Sequence, residues 1–352
     1  MPANTITASE TRPGGPPADF NTKSQNAKLR WAVKNPPTDP NVSFSGKTVL
    51  VTGANTGLGF QAAQKYAALG ADRLILGVRS QAKGEEAKQA ITKSTGHANI
   101  DVLTVDLASL DSVQAFVEKL SKSTTRLDVA LLNAGLGNPA YQKSALGWEM
   151  AVQVNVLSTA LMAVLLLPLL RATAKESTPH LTFVNSNGHD LAKREWLGPD
   201  GSLLQACNKE QDWVAEKSYS LVKLAGMAIM QHIAKITAAA STAGGSPDII
   251  VNAVCPGLCK TDLGRNFGFV QKAIGSIVLS FIARTAEQGS RTLVSGTALG
   301  PESHGRLWHH DILYPIGEMA KDEALMNKTW DEVYEVIAKD RPAVERALNR
   351  QA

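Results

Sequence analysis

Short apolar runs without alternation recur along this chain, and helical patterns separate each run from the next. Thr48–Thr52 (TVLVT) and Ile249–Val254 (IIVNAV) are two such runs. A strand buried on both faces has this pattern, because helices cover both sides of a parallel sheet. Strands that recur with helices between them imply βαβ units. The sequence therefore predicts an α/β fold with a doubly wound parallel sheet of the Rossmann type.

The boundaries of the regular elements follow from these patterns. The predicted strands are Thr48–Thr52, Arg73–Val78, Ile100–Asp106, Val129–Asn133, Leu181–Ser186 and Ile249–Val254. The predicted helices are Leu58–Leu69, Ala82–Lys93, Leu110–Ser121, Trp148–Thr173 and Ser218–Ala240.

The chain has enough apolar material for a single large core. It has 352 residues, of which 44% are hydrophobic, so no disulfide is needed for stability. No linker is evident inside residues 45–340, and we predict one domain over residues 43–340. Residues 1–42 are expected to form a flexible arm, with a short helix near Ala27–Val33 that could dock on the body. Residues 341–352 are expected to form a C-terminal tail.

Composition argues against several classes of protein. The net charge of +4 comes without a dense basic run, so nucleic-acid binding has no electrostatic support. Cys207, Cys255 and Cys259 have no disulfide spacing, which is typical of a reducing compartment. Val156–Leu170 is too short for a bilayer and is expected to be a buried helix, so no transmembrane segment is predicted. Without a secretory signal, the expected location is cytoplasmic.

No metal site is predicted. Cys255 and Cys259 have no histidine cluster beside them. The adjacent residues His309, His310 and Asp311 do not share one face of an element, so a structural role is favoured.

A glycine-rich turn follows the first strand and opens the first helix (TGANTGLG, residues 52–59). Glycines allow a close approach to a pyrophosphate, and the helix N-terminus offers free N–H groups. The alternative is a simple strand–helix turn. The candidate cofactor-binding residues of this turn are Gly53, Asn55, Thr56, Gly57, Leu58 and Gly59.

The end of the second strand selects between the two nicotinamide dinucleotides. NAD enzymes usually have an acid there, which binds the ribose 2′-hydroxyl. In this chain the strand ends in Arg79, and no acid appears before Glu85. An arginine can bind a 2′-phosphate in bidentate fashion, a contact worth about 1.5–3 kcal/mol. The sequence therefore favours NADP(H), with a solvated surface arginine as the alternative.

Two later strand ends contribute further candidates for cofactor binding. Asp106 and Leu107 follow the third strand, where an acid can accept a hydrogen bond from the adenine amino group. Asn133 follows the fourth strand, ahead of Ala134 and Gly135, whose small size keeps the backbone close to a cofactor. Each feature alone is also ordinary turn chemistry.

Tyr219 and Lys223 are four residues apart in a predicted helix and therefore share a face. A free tyrosine has a pKa of about 10, and a value near 7 would require about 4 kcal/mol. A lysine ammonium about 4 Å away supplies that much only at an effective dielectric of about 20. The pair can therefore act as a proton donor only in a partly dry cleft, where an oxidised nicotinamide would add to the effect of Lys223.

The ordered set of motifs resembles the short-chain dehydrogenase/reductase family over about residues 45–265. The local sequence around these motifs is similar to that of the retinol-dehydrogenase-like branch of the family and of reductases of fungal secondary metabolism. The motifs are TGANTGLG at 52–59, DL at 106–107, NAG at 133–135, Asn155, Ser186, YSLVK at 219–223, and Pro256-Gly257.

The resemblance implies a role for each matching residue. Tyr219 would exchange a proton with the substrate oxygen, and Lys223 would lower the pKa of Tyr219 and hold the nicotinamide ribose. Ser186 would hydrogen-bond the substrate oxygen, and Asn155 would hold a water in a proton relay. Thr261 would contact the nicotinamide carboxamide.

Two segments are expected to shape the substrate site. Residues 189–215 are longer than in many family members and are interpreted as a loop over the cleft or a plain surface loop. Residues 263–320 are Gly-rich with scattered apolar residues and are expected to be irregular, and the family resemblance suggests a mobile substrate lid. An apolar wall predicts a hydrophobic small-molecule substrate.

Three functions remain open at this point. The favoured one is an NADP(H)-dependent oxidoreductase, and the resemblance leaves a homodimer open. A non-redox dehydratase or epimerase could use the same tyrosine, and a cofactor-binding scaffold could retain the same fold.

Overall fold

The computed structural model describes residue 16 and residues 24–238, 246–260 and 283–349. A single sheet of eight strands forms its centre. The strands are β1 (Thr48–Thr52), β2 (Arg73–Val78), β3 (Ile100–Thr104), β4 (Val129–Leu132), β5 (His180–Val184), β6 (Ile250–Cys255), β7 (Leu307–His309) and β8 (Ile312–Tyr314).

The strand order is β3-β2-β1-β4-β5-β6-β7-β8. The pairs from β3 to β7 are parallel, and β8 pairs antiparallel with β7. The order reverses at β1, where Leu50 pairs with Ile75 of β2 on one side and with Ala130 of β4 on the other. A crevice opens at the carboxyl ends of the strands at such a switch point, and ligands bind there. The predicted doubly wound Rossmann-type fold is confirmed.

Helices cover both faces of the sheet. They are α1 (Gln25–Lys34), α2 (Gly57–Ala68), α3 (Gln81–Thr95), α4 (Leu110–Ser123), α5 (Met150–Thr173), α6 (Leu203–Asn208), α7 (Ala215–Ala238), α8 (Ala286–Gly296), α9 (Glu318–Lys321), α10 (Glu323–Ala338) and α11 (Pro342–Leu348).

The core is divided by the sheet into two hydrophobic clusters. In β1 the side chain of Leu50 belongs to the cluster under α4, α5 and α7, whereas Val49 and Val51 belong to the cluster under α2, α3 and α8. All three side chains are fully buried. Successive side chains of a strand point to opposite faces, so a strand covered on both sides must be apolar throughout. This is the physical reason for the TVLVT pattern.

Helix α5 is the longest apolar element. It is long and apolar enough to cross a membrane by length and composition, and it is the single such helix in the described part of the chain. In its most apolar stretch 83% of the residues are buried inside the protein, as in the core helix of a soluble fold. Pro168 lies within it, and Gln153–Ser158 has π-helical hydrogen bonding.

The region from 286 to 314 was expected to be irregular, and that expectation is wrong. It contains α8, which packs on α2, and the two short strands β7 and β8. Three-residue strands are too short to show periodicity, and the pairing of β7 with β6 joins residues about fifty positions apart. Much of the expected lid, residues 263–282, lies outside the described residues.

The described residues near each chain end include an ordered helix, and near the N-terminus this is the short helix that the sequence predicted. Residues 24–42 of the expected flexible arm carry α1, and Val42 is buried against the body. In the expected tail, α11 packs on α5 and buries Val344 and Ala347. Both ends become ordered because they cover apolar surface of the domain.

Candidate active site

A cleft of about 1020 Å³ opens at the carboxyl ends of the strands, around the switch between β1 and β4. The structure brings together in its wall every predicted site residue that it describes. These are Gly53, Asn55, Thr56, Gly57, Leu58, Gly59, Arg79, Asp106, Leu107, Asn133, Asn155, Ser186, Tyr219, Lys223, Pro256 and Gly257. Thr261 lies outside the described residues.

The glycine turn is held in place by β4. Gly53 and Gly57 have φ values of 66° and 57°, a left-handed conformation that favours glycine. The Asn133 side-chain amide donates to the Thr52 carbonyl at 2.9 Å, and the Thr52 hydroxyl accepts from the Asn133 backbone N–H at 2.9 Å. A Cβ on Gly59 would collide with the Gly53 carbonyl and the Asn133 amide. Asn133 therefore acts mainly by shaping the turn, which presents backbone and the N-terminus of α2 to the cleft.

The end of β2 carries positive charge. Arg79 and Lys83 are exposed and both line the cleft. Ser80 between them caps α3, since its hydroxyl accepts from the Lys83 N–H at 3.4 Å. Asp106 is the single acid among the described lining residues, and its Oδ1 accepts from the Ala108 N–H at 3.0 Å. Sequence reasoning missed Lys83, although its position four residues after Arg79 was a signal.

Tyr219 and Lys223 lie on α7 and face the cleft from beside β5. Helix α7 begins at Ala215, one turn earlier than expected, so Ser218 is buried within the helix and does not cap it. Lys223 Nζ lies 5.7 Å from the centre of the Tyr219 ring. The same ammonium donates to the Val184 carbonyl at 3.4 Å. The two side chains therefore share one face, as predicted, and both are held against the end of β5.

The pKa of Tyr219 differs from the value that the sequence analysis considered. Burial raises the pKa of Tyr219 to about 12, although its hydrogen bond with Ser186 lowers it in part. Burial also lowers the pKa of Lys223 to about 8. The sequence predicted that Lys223 lowers the pKa of Tyr219 in a partly dry cleft, whereas in this structure desolvation of the phenol is the largest effect and the net shift of its pKa is upward.

Ser186 is positioned by the turn that follows β5. Its hydroxyl accepts from the Gly188 N–H at 2.9 Å and is hydrogen-bonded to Tyr219. A Cβ on Gly188 would lie 3.0 Å from Cε1 of the Tyr219 ring, so glycine permits the close approach. The His189 ring, which is buried, bonds the Ser186 carbonyl at 2.8 Å. Sequence reasoning missed Gly188 and His189, which hold the Ser186–Tyr219 contact.

Asn155 lies in the π-helical part of α5. Its side-chain Oδ1 accepts from the Leu136 N–H at 2.9 Å, and its Nδ2 donates to the Leu136 carbonyl at 2.8 Å. The side-chain amide therefore fastens the loop after β4, which forms the cleft wall. The relay role of Asn155 stays a prediction.

A thiol and an imidazole also line the cleft at the ends of β6 and β7. Burial by itself would raise the pKa of the Cys255 thiol, but His309 and the backbone N–H groups of Asn187 and Gly257 lower it to about 6. His309 Nδ1 lies 2.7 Å from the Cys255 carbonyl oxygen. No group of three metal-ligating side chains occurs among the residues described.

Residues 189–215 do not contribute to the described wall of the cleft. Leu197, Leu203 and Leu204 are buried in the core instead. Asn208 Oδ1 accepts from the Glu149 N–H at 2.6 Å, just ahead of α5. Residues 189–215 therefore stabilise the start of α5, the helix that carries Asn155. The expected cover over the substrate is not seen in the part of the chain that is described.

Fold and site together define a dinucleotide-binding α/β enzyme with a serine, a tyrosine and a lysine at the carboxyl ends of its strands. Residues 47–190 match the family described as short chain dehydrogenase. The short-chain dehydrogenase/reductase ffsI of Aspergillus flavipes is 44% identical over 337 residues, which cover 94% of this chain and 97% of the relative. The short-chain dehydrogenase/reductase phmF of Phaeosphaeria nodorum is 40% identical, over 93% and 97% of the two chains. The chain therefore belongs to the short-chain dehydrogenase/reductase family.

Solved structures share the fold at lower identity. The L-sorbose reductase of Gluconobacter frateurii, solved with NADPH and L-sorbose, has a TM-score of 0.57 and 20% identity. The aligned region covers 79% of this chain and 98% of the reductase. The RhlG/NADP complex of Pseudomonas aeruginosa has a TM-score of 0.57 and 21% identity, with the same coverage. The chain is an oxidoreductase of this family, which uses a nicotinamide cofactor and acts on small molecules.

Proposed function

We propose that this enzyme uses NADP(H) and reduces the carbonyl group of a lipophilic small molecule, or oxidises the corresponding alcohol. The proposal rests on the observation that the two ends of one cleft carry different chemical groups. The Ser186–Tyr219 contact and Lys223 lie at one end, and the exposed cations Arg79 and Lys83 lie at the other. A dinucleotide bound across the glycine turn would span both ends.

The residues present fit a phosphorylated dinucleotide. Two positive side chains follow β2 where an acid would otherwise bind a ribose hydroxyl, and a 2′-phosphate is the group that two cations there would bind. A Cβ at Gly53 or at Gly59 would meet neighbouring atoms at 3.0 Å or less, so glycine keeps the turn tight and lets its backbone approach a pyrophosphate. The cofactor, when bound, supplies or accepts a hydride.

The protein's own groups would orient the substrate and move its proton. The Ser186 hydroxyl would donate to the substrate oxygen, where negative charge develops during reduction. The Tyr219 hydroxyl would donate its proton to the same oxygen, and in the reverse direction it would accept that proton. Lys223 would stabilise the phenolate that remains, because its ammonium lies on the same face of α7. Asn155 would keep the wall between β4 and α5 closed and support a water relay.

The cleft wall includes apolar side chains from the loop after β4, from α5 and from the segment after β6. Leu136, Met150, Val154 and Leu258 are among them. Apolar walls with a few convergent polar groups are typical of sites for lipophilic ligands. We include in the proposal a role in secondary metabolism, from the sequence resemblance, and a cytosolic location, because Cys207, Cys255 and Cys259 are all free thiols.

A panel of ketones, aldehydes and alcohols tested with NADPH and NADH in parallel tests the proposal. We expect a change in absorbance of the reduced nicotinamide, with NADPH preferred and apolar carbonyl compounds giving the highest kcat/KM. Turnover without that change would indicate a dehydratase or epimerase. Cofactor binding without turnover across the whole panel would indicate a scaffold.

A further inference from the structure

Helix α1 from the N-terminal arm forms part of the cofactor cleft. Lys28, Leu29 and Ala32 line the cleft together with the glycine turn and Pro256. Positions i, i+1 and i+4 lie on one side of a helix. The opposite side carries Arg30 and Lys34, which are exposed. The arm therefore turns one defined face towards the cleft.

A buried arginine fastens α1 in this position. Arg284 is 2% exposed. Its Nε donates to the Ala32 carbonyl at 3.2 Å, and its Nη2 donates to the Asn35 carbonyl at 3.1 Å. Its Nη1 donates to the Pro256 carbonyl at 3.2 Å. Burying a guanidinium is costly unless its donors are satisfied, and carbonyl groups of the arm satisfy two of them. The hydrogen bonding of this buried side chain in the body therefore depends on the arm being in place.

The turn between β7 and β8 supplies a second attachment. The Thr38 N–H donates to the Asp311 carboxylate at 2.7 Å. The Trp31 ring meets the His310 ring edge-on, with centroids 5.2 Å apart. His310 and Asp311 both have positive φ values, 54° and 59°, which direct this tight turn. His310 and Asp311, which belong to the run His309–Asp311 for which the sequence favoured a structural role over metal binding, thus hold the arm.

These attachments hold α1 against the cleft beside Pro256. Arg284 joins Ala32 to Pro256, and Pro256 and Leu58 of the glycine turn both lie next to Gly289 of α8. A dinucleotide bound at the switch point has its pyrophosphate at the glycine turn, next to the N-terminus of α2. Lys28 lies one helical turn from Ala32 and lines the same cleft as the glycine turn.

We propose that Lys28 binds the pyrophosphate of the nicotinamide dinucleotide, so that the N-terminal arm completes the cofactor site. The inference rests on the proposed function, because it requires that a dinucleotide occupies the cleft. Because both NADPH and NADH carry a pyrophosphate, Lys28 strengthens the binding of both equally. Arg79, in contrast, acts on the 2′-phosphate that only NADPH has.

The test compares Lys28→Ala with Arg30→Ala in the full chain. Both variants remove one positive charge from α1, but Arg30 is exposed and does not line the cleft. Dissociation constants for NADPH and NADH are measured by fluorescence titration at low salt. We expect Lys28→Ala to weaken both cofactors about tenfold, the loss of one charge-assisted contact. Arg30→Ala should leave both constants within about twofold of the wild type.

The outcomes separate this inference from the function on which it rests. Equal constants for Lys28→Ala and the wild type would overturn the role of Lys28 and leave the enzyme function intact. A loss confined to NADPH would also overturn it, since Lys28 would then act at the 2′-phosphate. Lys28→Gln, which removes the charge and keeps most of the side chain, should behave like Lys28→Ala with an unchanged Tm. Failure of the wild type to bind either dinucleotide would overturn both proposals.

Discussion

The two ends of the cleft differ in how far their titratable side chains are exposed to solvent. We call the end with Tyr219 and Lys223 the catalytic end and the end with Arg79 and Lys83 the phosphate end. At the catalytic end Tyr219 and Lys223 are largely desolvated, and burial shifts both of their pKa values towards the neutral forms. At the phosphate end Arg79 and Lys83 are exposed to solvent. A buried charge carries a large desolvation cost, whereas an exposed charge changes affinity by a modest amount. Changes at the catalytic end should therefore alter both stability and chemistry, and changes at the phosphate end should alter cofactor choice alone.

The largest effect is expected from Tyr219→Phe. This change removes the proton donor and keeps the ring that packs beside Gly188. We expect kcat to fall about 10³-fold, as is typical when a general acid is lost, with the dissociation constant for NADPH nearly unchanged. Steady-state kinetics and a cofactor titration measure the two quantities. Tyr334→Phe, on α10 and outside the described cleft wall, serves as the control. A Tyr219→Phe enzyme with full activity would refute the proton donor.

Lys223→Met should have opposite effects on activity and stability. Burial lowers the pKa of Lys223 to about 8, so at pH 7 the folded protein carries the full cost of the charged form. That cost diminishes only as the pH rises through about 8. Removing the charge should stabilise the fold by about 1–3 kcal/mol at pH 7 and reduce kcat about 10²-fold.

Thermal unfolding at pH 7 and pH 9 checks the stability of the Lys223→Met variant, whose advantage should shrink at the higher pH. Lys235→Met on the same helix is the control, because Lys235 is exposed beside Glu323. A fall in Tm for Lys223→Met would contradict the prediction that the charged form of Lys223 destabilises the fold at pH 7.

Arg79→Asp should change cofactor preference without changing stability. The acid would repel a 2′-phosphate and could accept from a 2′-hydroxyl. We expect the ratio of kcat/KM for NADPH to that for NADH to fall by about ten- to hundredfold. Lys93→Asp makes the same reversal of charge at the other end of α3, outside the described cleft wall, and should leave the ratio unchanged. An unchanged ratio in Arg79→Asp would place the phosphate site elsewhere.

The smallest effect concerns the pH profile of carbonyl reduction. Because the pKa of Tyr219 is raised to about 12 and that of Lys223 is lowered to about 8, the lysine loses its proton first. We expect kcat/KM to fall several-fold as the pH rises through about 8. Lys223→Arg should move this fall to higher pH, because an arginine keeps its charge. A fall at the same pH in that variant would assign the titration to another group.

The same contrast explains which parts of the site the sequence could predict. The glycine turn, Arg79 and the Tyr219–Lys223 pair are local, since spacing within one turn or one helix brings them together. Gly188 and His189 act through contacts with Ser186 and Tyr219 that depend on how α7 packs beside β5. Their positions are ordinary for a loop, so the sequence offered little signal.

The chain's own order of apolar runs and turns determined the fold class, the cleft and the Tyr219–Lys223 pair, and the family resemblance added Ser186 and Asn155. These features depend on short-range periodicity and on backbone chemistry that a few adjacent residues specify. Only the tertiary structure decided that the arm forms a wall, because the contacts of Arg284 with Ala32 and Asn35 join residues about 250 positions apart. It also decided the charge states of Tyr219 and Lys223, because desolvation depends on everything packed around a group and not on its neighbours in sequence.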